Sequence, residues 1–203
     1  MDPDLALLER WRAGDQQAGQ ELFARHLADI YRFFEHKVGG DADELVQGTF
    51  LACIHARDRF RAQSTFRTYL FAIARHELYA YYRRQPKHEH VDFEATSIEQ
   101  LASSLGSRLD RARRVDHLRA ALRQLPAEQQ LLLELHYWHD LDAAGLAEVF
   151  ETTSGNMRVR LLRARRALRE VMEKVGPEAL AGAEDRMTSS LSAPDLDAET
   201  DEP

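Results

Sequence analysis

Residues 153–169 read TSGNMRVRLLRARRALR, and this stretch has two distinct faces when it is wound into a helix. At about 100° per residue, one set of apolar side chains falls within about 60° of Met157. That set is Leu161, Ala164 and Leu168, continued by Val171 and Met172. The other side carries Arg158, Arg163, Arg165, Arg166 and Arg169, with Arg160 at the border. We therefore predict that one face packs on a core, while the other presents guanidinium groups along roughly 27 Å to a nucleic acid.

The residues just before this helix predict a second, shorter helix. Asp142 is placed to cap it, and apolar residues recur at positions 143, 146, 147 and 150. Residues 151–154 allow only a tight turn, and their hydroxyl groups can cap the arginine-rich helix. Together the two helices are typical of a helix-turn-helix. The alternative is a solvated basic helix in an ordinary helical bundle, because surface helices often carry arginines.

The composition of the whole chain favours an all-α fold. Helix-forming residues dominate, and 203 residues with 44% hydrophobic content suffice for one large or two small domains. The first residues include neither a basic segment nor a long apolar run, so we expect no signal peptide, no membrane insertion and a cytoplasmic location. Cys53 is the only cysteine, which excludes an internal disulfide.

The acidic charge is concentrated at the C-terminal end. The net charge is −7, and residues 176–203 carry all of it, with eight acidic residues against Arg186. Little in this tail can be buried, so we predict that it is disordered. In one hypothesis its charge competes with DNA for the arginine-rich helix, and in the other it only keeps the protein soluble.

Four helices are predicted before residue 85. The first starts at Pro3, and the second is capped by Asp15 and stops before Gly39. Its apolar residues, at spacings of three and four, are Leu22, Phe23, Leu27, Ile30, Phe33 and Phe34. Asp41 and Glu44 have the spacing of a capping box for the third helix. The predicted buried stripe of that helix is Leu45, Val46, Thr49, Phe50, Cys53 and Ile54.

The fourth helix, predicted from Ser64 or Thr65 through Arg84, is rich in aromatic and basic side chains. These are Phe66, Tyr69, Phe71, Tyr79, Tyr81 and Tyr82, with Arg67, Arg75, His76, Arg83 and Arg84 between them. Aromatic faces beside cations are what single-stranded bases and phosphates require. The alternative is a plain core with a solvated rim. We adopt that alternative for Phe66, Leu70, Ile73, Ala74 and Leu78, and leave it open for Tyr69, Arg75, His76 and Tyr79.

Pro86 ends the fourth helix, and residues 86–107 have no sustained period and an acidic lean. We predict a flexible linker there, which joins two small helical domains. The first domain would span residues 1–85. The second would span residues 108–175 and contain the helix-turn-helix, followed by the tail at 176–203.

Nothing in the sequence predicts an enzyme, a metal or a cofactor. His88 and His90 form one histidine pair and His136 and His139 another, but neither pair has a third ligand at a suitable spacing. The sequence contains no glycine-rich phosphate loop, and no serine, cysteine or threonine stands in a nucleophile motif. We therefore expect a binding protein.

Four motifs follow one another along the chain. They are DADELVQGTF at 41–50, Phe60 with STFRTYLFAIAR at 64–75, LPAEQ at 125–129, and the helix-turn-helix at 142–169. In this order and spacing the chain resembles the extracytoplasmic-function sigma factors of bacterial RNA polymerase, of the sigma-70 family, over roughly residues 5–172. The resemblance implies a two-domain transcription initiation factor, with domains similar to sigma regions 2 and 4.

The resemblance also implies partners and sites. The partners would be core RNA polymerase, through its β′ clamp helices and β flap, promoter DNA, and an anti-sigma factor, which the family often has. The polymerase-binding residues would be Asp43, Glu44, Gln47 and Leu51. The minus-ten element would be bound by Arg61, Gln63, Ser64, Arg67, Tyr69, Arg75, His76, Tyr79 and Arg83. The minus-thirty-five element would be bound by Thr153, Ser154, Asn156, Arg158, Arg160, Arg163 and Arg166.

Four residues depart from the family pattern. Gly48 stands where an acid is usual, Tyr69 where tryptophan is common, His76 where asparagine is common, and Val159 where a small polar residue is usual. Two other functions stay open on the residues alone. An autonomous helix-turn-helix regulator shares the second domain but has no use for the fourth helix, and a helical adaptor leaves the arginines unexplained.

Overall fold

The computed structural model describes residues 2–60, 64–84, 91–103 and 117–175. Within these ranges the chain forms nine α-helices and no strand, so the predicted all-α fold is confirmed. The helices are α1 Pro3–Arg12, α2 Gln16–Glu35, α3 Ala42–Ala56, α4 Phe66–Arg83, α5 Ile98–Ser103, α6 His117–Gln124, α7 Ala127–Tyr137, α8 Ala143–Val149 and α9 Ser154–Val175. Short 3₁₀ turns, Gly39–Asp41 and Arg57–Arg59, flank α3.

The first four helices form one unit, and the starts of α1 and α2 follow the predicted signals. Asp2 caps α1 by accepting a hydrogen bond from the Asp4 N–H at 3.0 Å, and Pro3 takes the first helical position. Asp15 caps α2 by accepting from the Ala18 N–H at 3.1 Å. The core of this unit includes Trp11, Leu22, Ile30, Phe33, Phe34, Leu45, Phe50, Phe66, Leu70 and Leu78.

The starts of α3 and α4 differ in how well the sequence predicted them. Thr65 caps α4, as predicted, and accepts from the Thr68 N–H at 3.1 Å. The predicted capping box of α3 is wrong, because Asp41 makes no side-chain cap there. Its carboxylate accepts a hydrogen bond from the Tyr81 hydroxyl at 2.7 Å instead. A partner on another helix therefore takes the carboxylate away from its own helix end.

Two residues of the apolar patterns in α2 and α3 lie at the surface, and one of them, Ile54, was predicted to be buried. Leu27 and Ile54 are both exposed. In α2 the neighbouring residue His26 is buried in place of Leu27. Its ring nitrogen Nε2 lies 2.7 Å from Asp4 Oδ2, so the buried imidazole has a hydrogen-bond partner. In α3 the buried stripe ends at Cys53, and the next residue along turns about 100° away from it.

Helices α5 to α9 form a second unit, with the helix-turn-helix at its end. Phe93, Ile98 and Leu101 are buried, so part of the segment predicted as a linker contains a short helix that the sequence did not predict. Residues 85–90 and 104–116 lie outside the described residues, and the exact domain limits stay predictions. The tail predicted at 176–203 also lies outside them.

The two units are in contact, because α4 packs against α8 and against the loop that follows α7. Lys37, at the end of α2, is buried and pairs with Glu134 of α7. Among the described residues, no helix combines the length and the apolar composition that crossing a bilayer demands.

Candidate nucleic-acid interface

Helix α9 has the two faces that its sequence predicted. Met157, Leu161, Ala164, Leu168 and Met172 are all buried, and they pack on α6, α7 and α8. Arg158, Arg163, Arg166 and Arg169 are all exposed on the opposite side. Of these, Arg166 donates from Nε to Glu170 Oε1 at 3.1 Å. A basic surface therefore runs along the length of the helix, as nucleic-acid binding requires.

The turn before α9 fixes where this surface begins. Asp142 caps α8 by accepting from the Gly145 N–H at 2.7 Å, as predicted. Thr153 accepts from the Asn156 N–H at 3.2 Å at the start of α9. The Asn156 side chain donates from Nδ2 to the Thr152 hydroxyl at 3.0 Å. These hydroxyl and amide groups stiffen the first turn of α9.

Two arginines of α9 lie elsewhere than the exposed surface. Arg165, predicted on the open side, packs against α7, with Nη2 3.3 Å from His136 Nε2 and its guanidinium over the Tyr137 ring at 5.4 Å. It lies only about 80° from Met157 on the wheel, which is close enough for a long side chain to reach a neighbouring helix. Arg160 pairs with Glu128 and with Glu94, the latter at 3.3 Å.

Helix α3 presents a second surface of a different kind. Asp43, Glu44, Gln47 and Leu51 are all exposed and share an arc of about 100°. The exposed Ile54 extends the apolar part of that arc by one turn. The structure thus brings the four residues predicted to bind polymerase together on one face.

An acid that the sequence did not single out borders this surface. A Cβ placed on Gly48 would lie 3.3 Å from Glu77 Oε2, so the carboxylate of α4 covers the glycine of α3. Gly48 stands where an acid is usual in the family, and Glu77 of α4 brings a carboxylate to that position. The sequence alone does not show this contact, because Gly48 and Glu77 are far apart along the chain and meet only where α3 packs on α4.

Most of the residues predicted at the minus-ten element lie on α4, where they face the second unit. Arg61 and Gln63 lie outside the described residues, Ser64 is half-buried, and Arg83 is exposed. Arg67 donates to Asp29 Oδ2 at 3.2 Å from Nε, and from Nη1 to the carbonyl of His139.

Tyr69, Arg75, His76 and Tyr79 are all engaged by other side chains or by backbone. Arg75 donates from Nη2 to Glu128 Oε1 at 3.0 Å, and the Tyr79 hydroxyl lies 3.4 Å from the same oxygen. His76 Nε2 lies 3.0 Å from Glu151 Oε1. The half-buried Tyr69 donates to a backbone carbonyl, that of residue 56, at 3.4 Å.

Tyr79 has lost its free face in this conformation. Its ring stacks on Phe93 with centroids 3.9 Å apart and planes 3° from parallel. Only 6% of Tyr79 is exposed, and burial raises the pKa of its phenol. A base cannot stack on this ring until Phe93 moves away. Sequence reasoning missed Phe93, because the aromatic stands in a segment with no helical period.

The histidine pair that the structure describes is held by other contacts. The described residues contain no cluster of three histidine, cysteine, aspartate or glutamate side chains. His136 Nδ1 lies 2.8 Å from the Leu141 carbonyl, and His139 is buried against the Phe71 ring at 4.5 Å. The other pair, His88 and His90, lies outside the described residues.

Comparison with known proteins places the chain in a family. Residues 22–87 match the model of sigma-70 region 2, and residues 116–168 match that of sigma-70 region 4. The RNA polymerase sigma factor CarQ of Myxococcus xanthus is 32% identical over an alignment of 174 residues that covers 81% of this chain and 95% of CarQ. The chain belongs to the sigma-70 family of sigma factors. The ECF RNA polymerase sigma-E factor of Escherichia coli strain K12 is 29% identical over an alignment of 180 residues that covers 81% of this chain and 92% of that factor. Within the sigma-70 family, the chain belongs to the extracytoplasmic-function group.

This sigma factor also shares its fold with solved relatives. CnrH, solved in complex with the cytosolic domain of CnrY, has a TM-score of 0.61 at 24% identity, covering 86% of this chain and all of that one. The sigma factor RpoE of Bartonella quintana, solved with the anti-sigma factor NepR, has a TM-score of 0.57 at 24% identity, covering 76% of this chain and 96% of that one. Membership in the family makes the chain a transcription initiation factor that directs RNA polymerase to promoters, without enzymatic activity of its own.

Proposed function

We propose that this sigma factor divides promoter recognition among three helix surfaces. The face of α3 binds the clamp helices of the polymerase β′ subunit. Helix α4, with residues 61–64 before it, opens the minus-ten element and holds its single strand. Helix α9 reads the minus-thirty-five element, while the rest of its domain lies against the β flap.

The observation that carries the proposal is the mixed chemistry of the α3 face. Leu51 and Ile54 are exposed on the same face of α3 as Asp43, Glu44 and Gln47, one to three turns further along the helix. Apolar side chains inside a polar, acidic rim are typical of a protein-binding surface, because burial of the apolar centre drives association and the rim selects the partner. The acids favour a basic partner surface. An autonomous DNA-binding regulator has no need of such a face.

The role of α9 is supported by its charge and its position in the helix-turn-helix. In this motif the second helix lies in the major groove, and its N-terminal residues reach the base edges. Arg158 belongs to that end and is proposed to read bases. Arg163 and Arg166 lie further along and are proposed to hold phosphates, which fixes the register of the protein on the duplex.

The role of α4 requires the two units to separate. Arg67, Arg75 and His76 contact the second unit, and Tyr79 stacks on Phe93. Extruding a base costs a few kcal/mol, and stacking on an aromatic ring contributes about 1–3 kcal/mol per base toward it. We therefore propose that Tyr79 becomes available to a base only when polymerase draws the units apart.

An anti-sigma factor is proposed as a further partner. Two proteins of the same fold have been solved with partner proteins, namely CnrH with the cytosolic domain of CnrY and the sigma factor RpoE with the anti-sigma factor NepR. An inhibitor that covered the α3 face would block polymerase binding directly. Its signature would be competition: the inhibitor and core polymerase would exclude one another from this chain.

The experiment that tests the proposal adds the purified full-length chain to core RNA polymerase and a library of promoter templates. We expect new transcripts that start at defined positions and that need both proteins. Sequence-specific binding of the chain to duplex DNA without polymerase, together with no new start sites, would contradict the proposal and favour an autonomous regulator.

A further inference from the structure

Two apolar side chains lie in the middle of the basic face of α9. Val159 is 46% exposed and Leu162 is 67% exposed. On the helical wheel both lie at least about 140° from Met157, which is buried in the core. They are therefore not part of the packing stripe, and the fold gives no reason for apolar groups at these positions.

The neighbours of this apolar pair determine what can cover it. Arg158 and Arg163 flank it on the two sides, and Arg166 follows it one turn later, all three exposed. Three guanidinium groups around an apolar centre disfavour a second copy of this face and favour a polyanion. Duplex DNA supplies the phosphates that match the arginines.

The first turn of α9 allows the duplex to come close. Gly155 lies on the same side of the helix as Val159 and Leu162, and a Cβ added there would have no atom within 4 Å. A glycine lets a backbone approach a ligand more closely than any other residue does. Helix and groove floor can therefore meet at the turn that carries Val159.

Two polar side chains at this end of the helix already hold the cap. The Thr153 hydroxyl accepts from the Asn156 N–H, and the Asn156 amide donates to Thr152. Both were predicted to contact DNA, but here they serve the helix cap. Arg158 and the apolar pair are exposed at this end of the helix and take no part in the cap.

The groups exposed in the major groove indicate which part of the DNA the apolar pair contacts. Most of its base-edge groups are hydrogen-bond donors or acceptors, and the C5 methyl of thymine is the apolar group among them. We propose, on the basis of the function proposed above, that Val159 and Leu162 contact thymine methyl groups in the minus-thirty-five element. They make this sigma factor selective for thymine at one or two positions there.

The test removes only the methyl group. A duplex is first selected from a random library by the full-length chain together with core polymerase, and each thymidine of its upstream element is then replaced in turn by deoxyuridine. We expect about fourfold weaker binding at one or two positions, the factor that burial of one methyl-sized group contributes. Val159→Ser and Leu162→Ser are expected to bind the thymidine and deoxyuridine duplexes alike at those positions.

Leu27→Ser is the matched control, because Leu27 is an exposed leucine on α2, outside the helix-turn-helix. It should keep the preference for thymidine. For each protein, the affinities for the thymidine and the deoxyuridine duplex are compared as a ratio. A smaller folded fraction in any variant lowers both affinities equally and leaves the ratio unchanged.

Equal binding of the two duplexes by the unsubstituted protein would overturn the inference. The proposed function would still stand if the protein continued to direct polymerase to specific transcription start sites. A preference for thymidine that survives in both serine variants would overturn it as well, and would leave the apolar pair to a protein partner. Failure of the protein to direct any specific start would remove the proposed function itself.

Discussion

Two leucines of the first unit are equally open to solvent and differ only in their surroundings. Leu51 on α3 is 48% exposed, and Leu27 on α2 is 50% exposed. Exposure alone therefore does not single out a binding surface. Leu51 shares the face of α3 that carries Asp43 and Glu44 about two turns earlier, and this setting is the basis for assigning it to polymerase.

Leu51→Arg combined with Gln47→Ala is expected to weaken binding to core polymerase by at least about tenfold. The change removes an apolar contact and puts a cation on a face whose proposed partner is basic. Binding is measured by titrating labelled protein with core polymerase. Leu27→Arg is the matched control and should bind within about twofold of the unsubstituted chain. Equal loss in both variants would remove the docking assignment.

His139 makes the stability of the molecule depend on pH. Burial lowers its pKa to about 4, below the ordinary value of 6.5. The unfolded chain therefore binds a proton between pH 6.5 and 4 that the folded chain does not, so stability falls as the pH falls through that window. The loss amounts to a few kcal/mol at most.

Urea unfolding at pH 7.5, 6.5, 5.5 and 4.5 measures this effect. His139→Asn is the comparison, since an amide does not titrate and other groups cancel in the difference between the proteins. We expect the unsubstituted protein to lose more of its free energy of unfolding than the variant does. Parallel pH dependences would show that His139 does not contribute.

At the scale of elements, the packing of α1 on α2 depends on a glycine. A Cβ on Gly19 would lie 2.7 Å from two atoms of the buried Trp11 ring, so alanine does not fit without movement. Gly19→Ala is expected to lower the free energy of unfolding by about 1–3 kcal/mol through overpacking. Thermal and urea unfolding measure it. Gly155→Ala, on a helix position with open space, should cause no loss and serves as the control.

Along α9 the contacts with bases and with phosphates are proposed to separate. Arg158→Ala is expected to change which upstream sequences are used, at a cost of about 1–3 kcal/mol for the preferred one. Arg166→Ala is expected to weaken all sequences alike and to lower the salt dependence of binding by about one phosphate contact. Selection from a random library, repeated at several salt concentrations, compares them. Identical sequence profiles from the two variants would contradict this division.

The sequence predicted those features of the elements that depend on local order. The stripe around Met157 and the caps at Asp15 and Asp142 are confirmed. They could be predicted because they depend only on spacing and side-chain type. Asp41 and Arg165 were misplaced because each has a partner on another helix. No local pattern records which helix will lie alongside.

At the scale of the whole molecule, the contact between the two units could not be predicted from sequence for the same reason. Arg75 and Glu128 are 53 residues apart, and no local pattern pairs them. In the structure both are largely buried, and Glu128 pairs with Arg160 as well. One carboxylate thus holds an arginine of the proposed minus-ten helix and an arginine of the proposed minus-thirty-five helix.

The shared carboxylate makes the contact between the two units sensitive to a single substitution. Glu128→Gln removes the charge that compensates the buried Arg75, and breaking such a pair costs about 3–5 kcal/mol where both partners are buried. This cost applies only while the two units are in contact, because Arg75 becomes solvated once they separate. We therefore expect the variant to be more open, with a larger radius of gyration in small-angle X-ray scattering.

The same variant should bind single-stranded DNA more tightly in the absence of polymerase. Opening withdraws Phe93 from Tyr79 and frees Arg75, so that bases gain a stacking surface and phosphates gain a cation. Fluorescence anisotropy with a labelled single-stranded oligonucleotide measures this, and at least about tenfold tighter binding is expected. Glu148→Gln, an exposed acid of the same unit, controls for the lost charge and should change neither quantity. An unchanged radius of gyration together with unchanged affinity for the single strand would mean that Glu128 does not hold the units together.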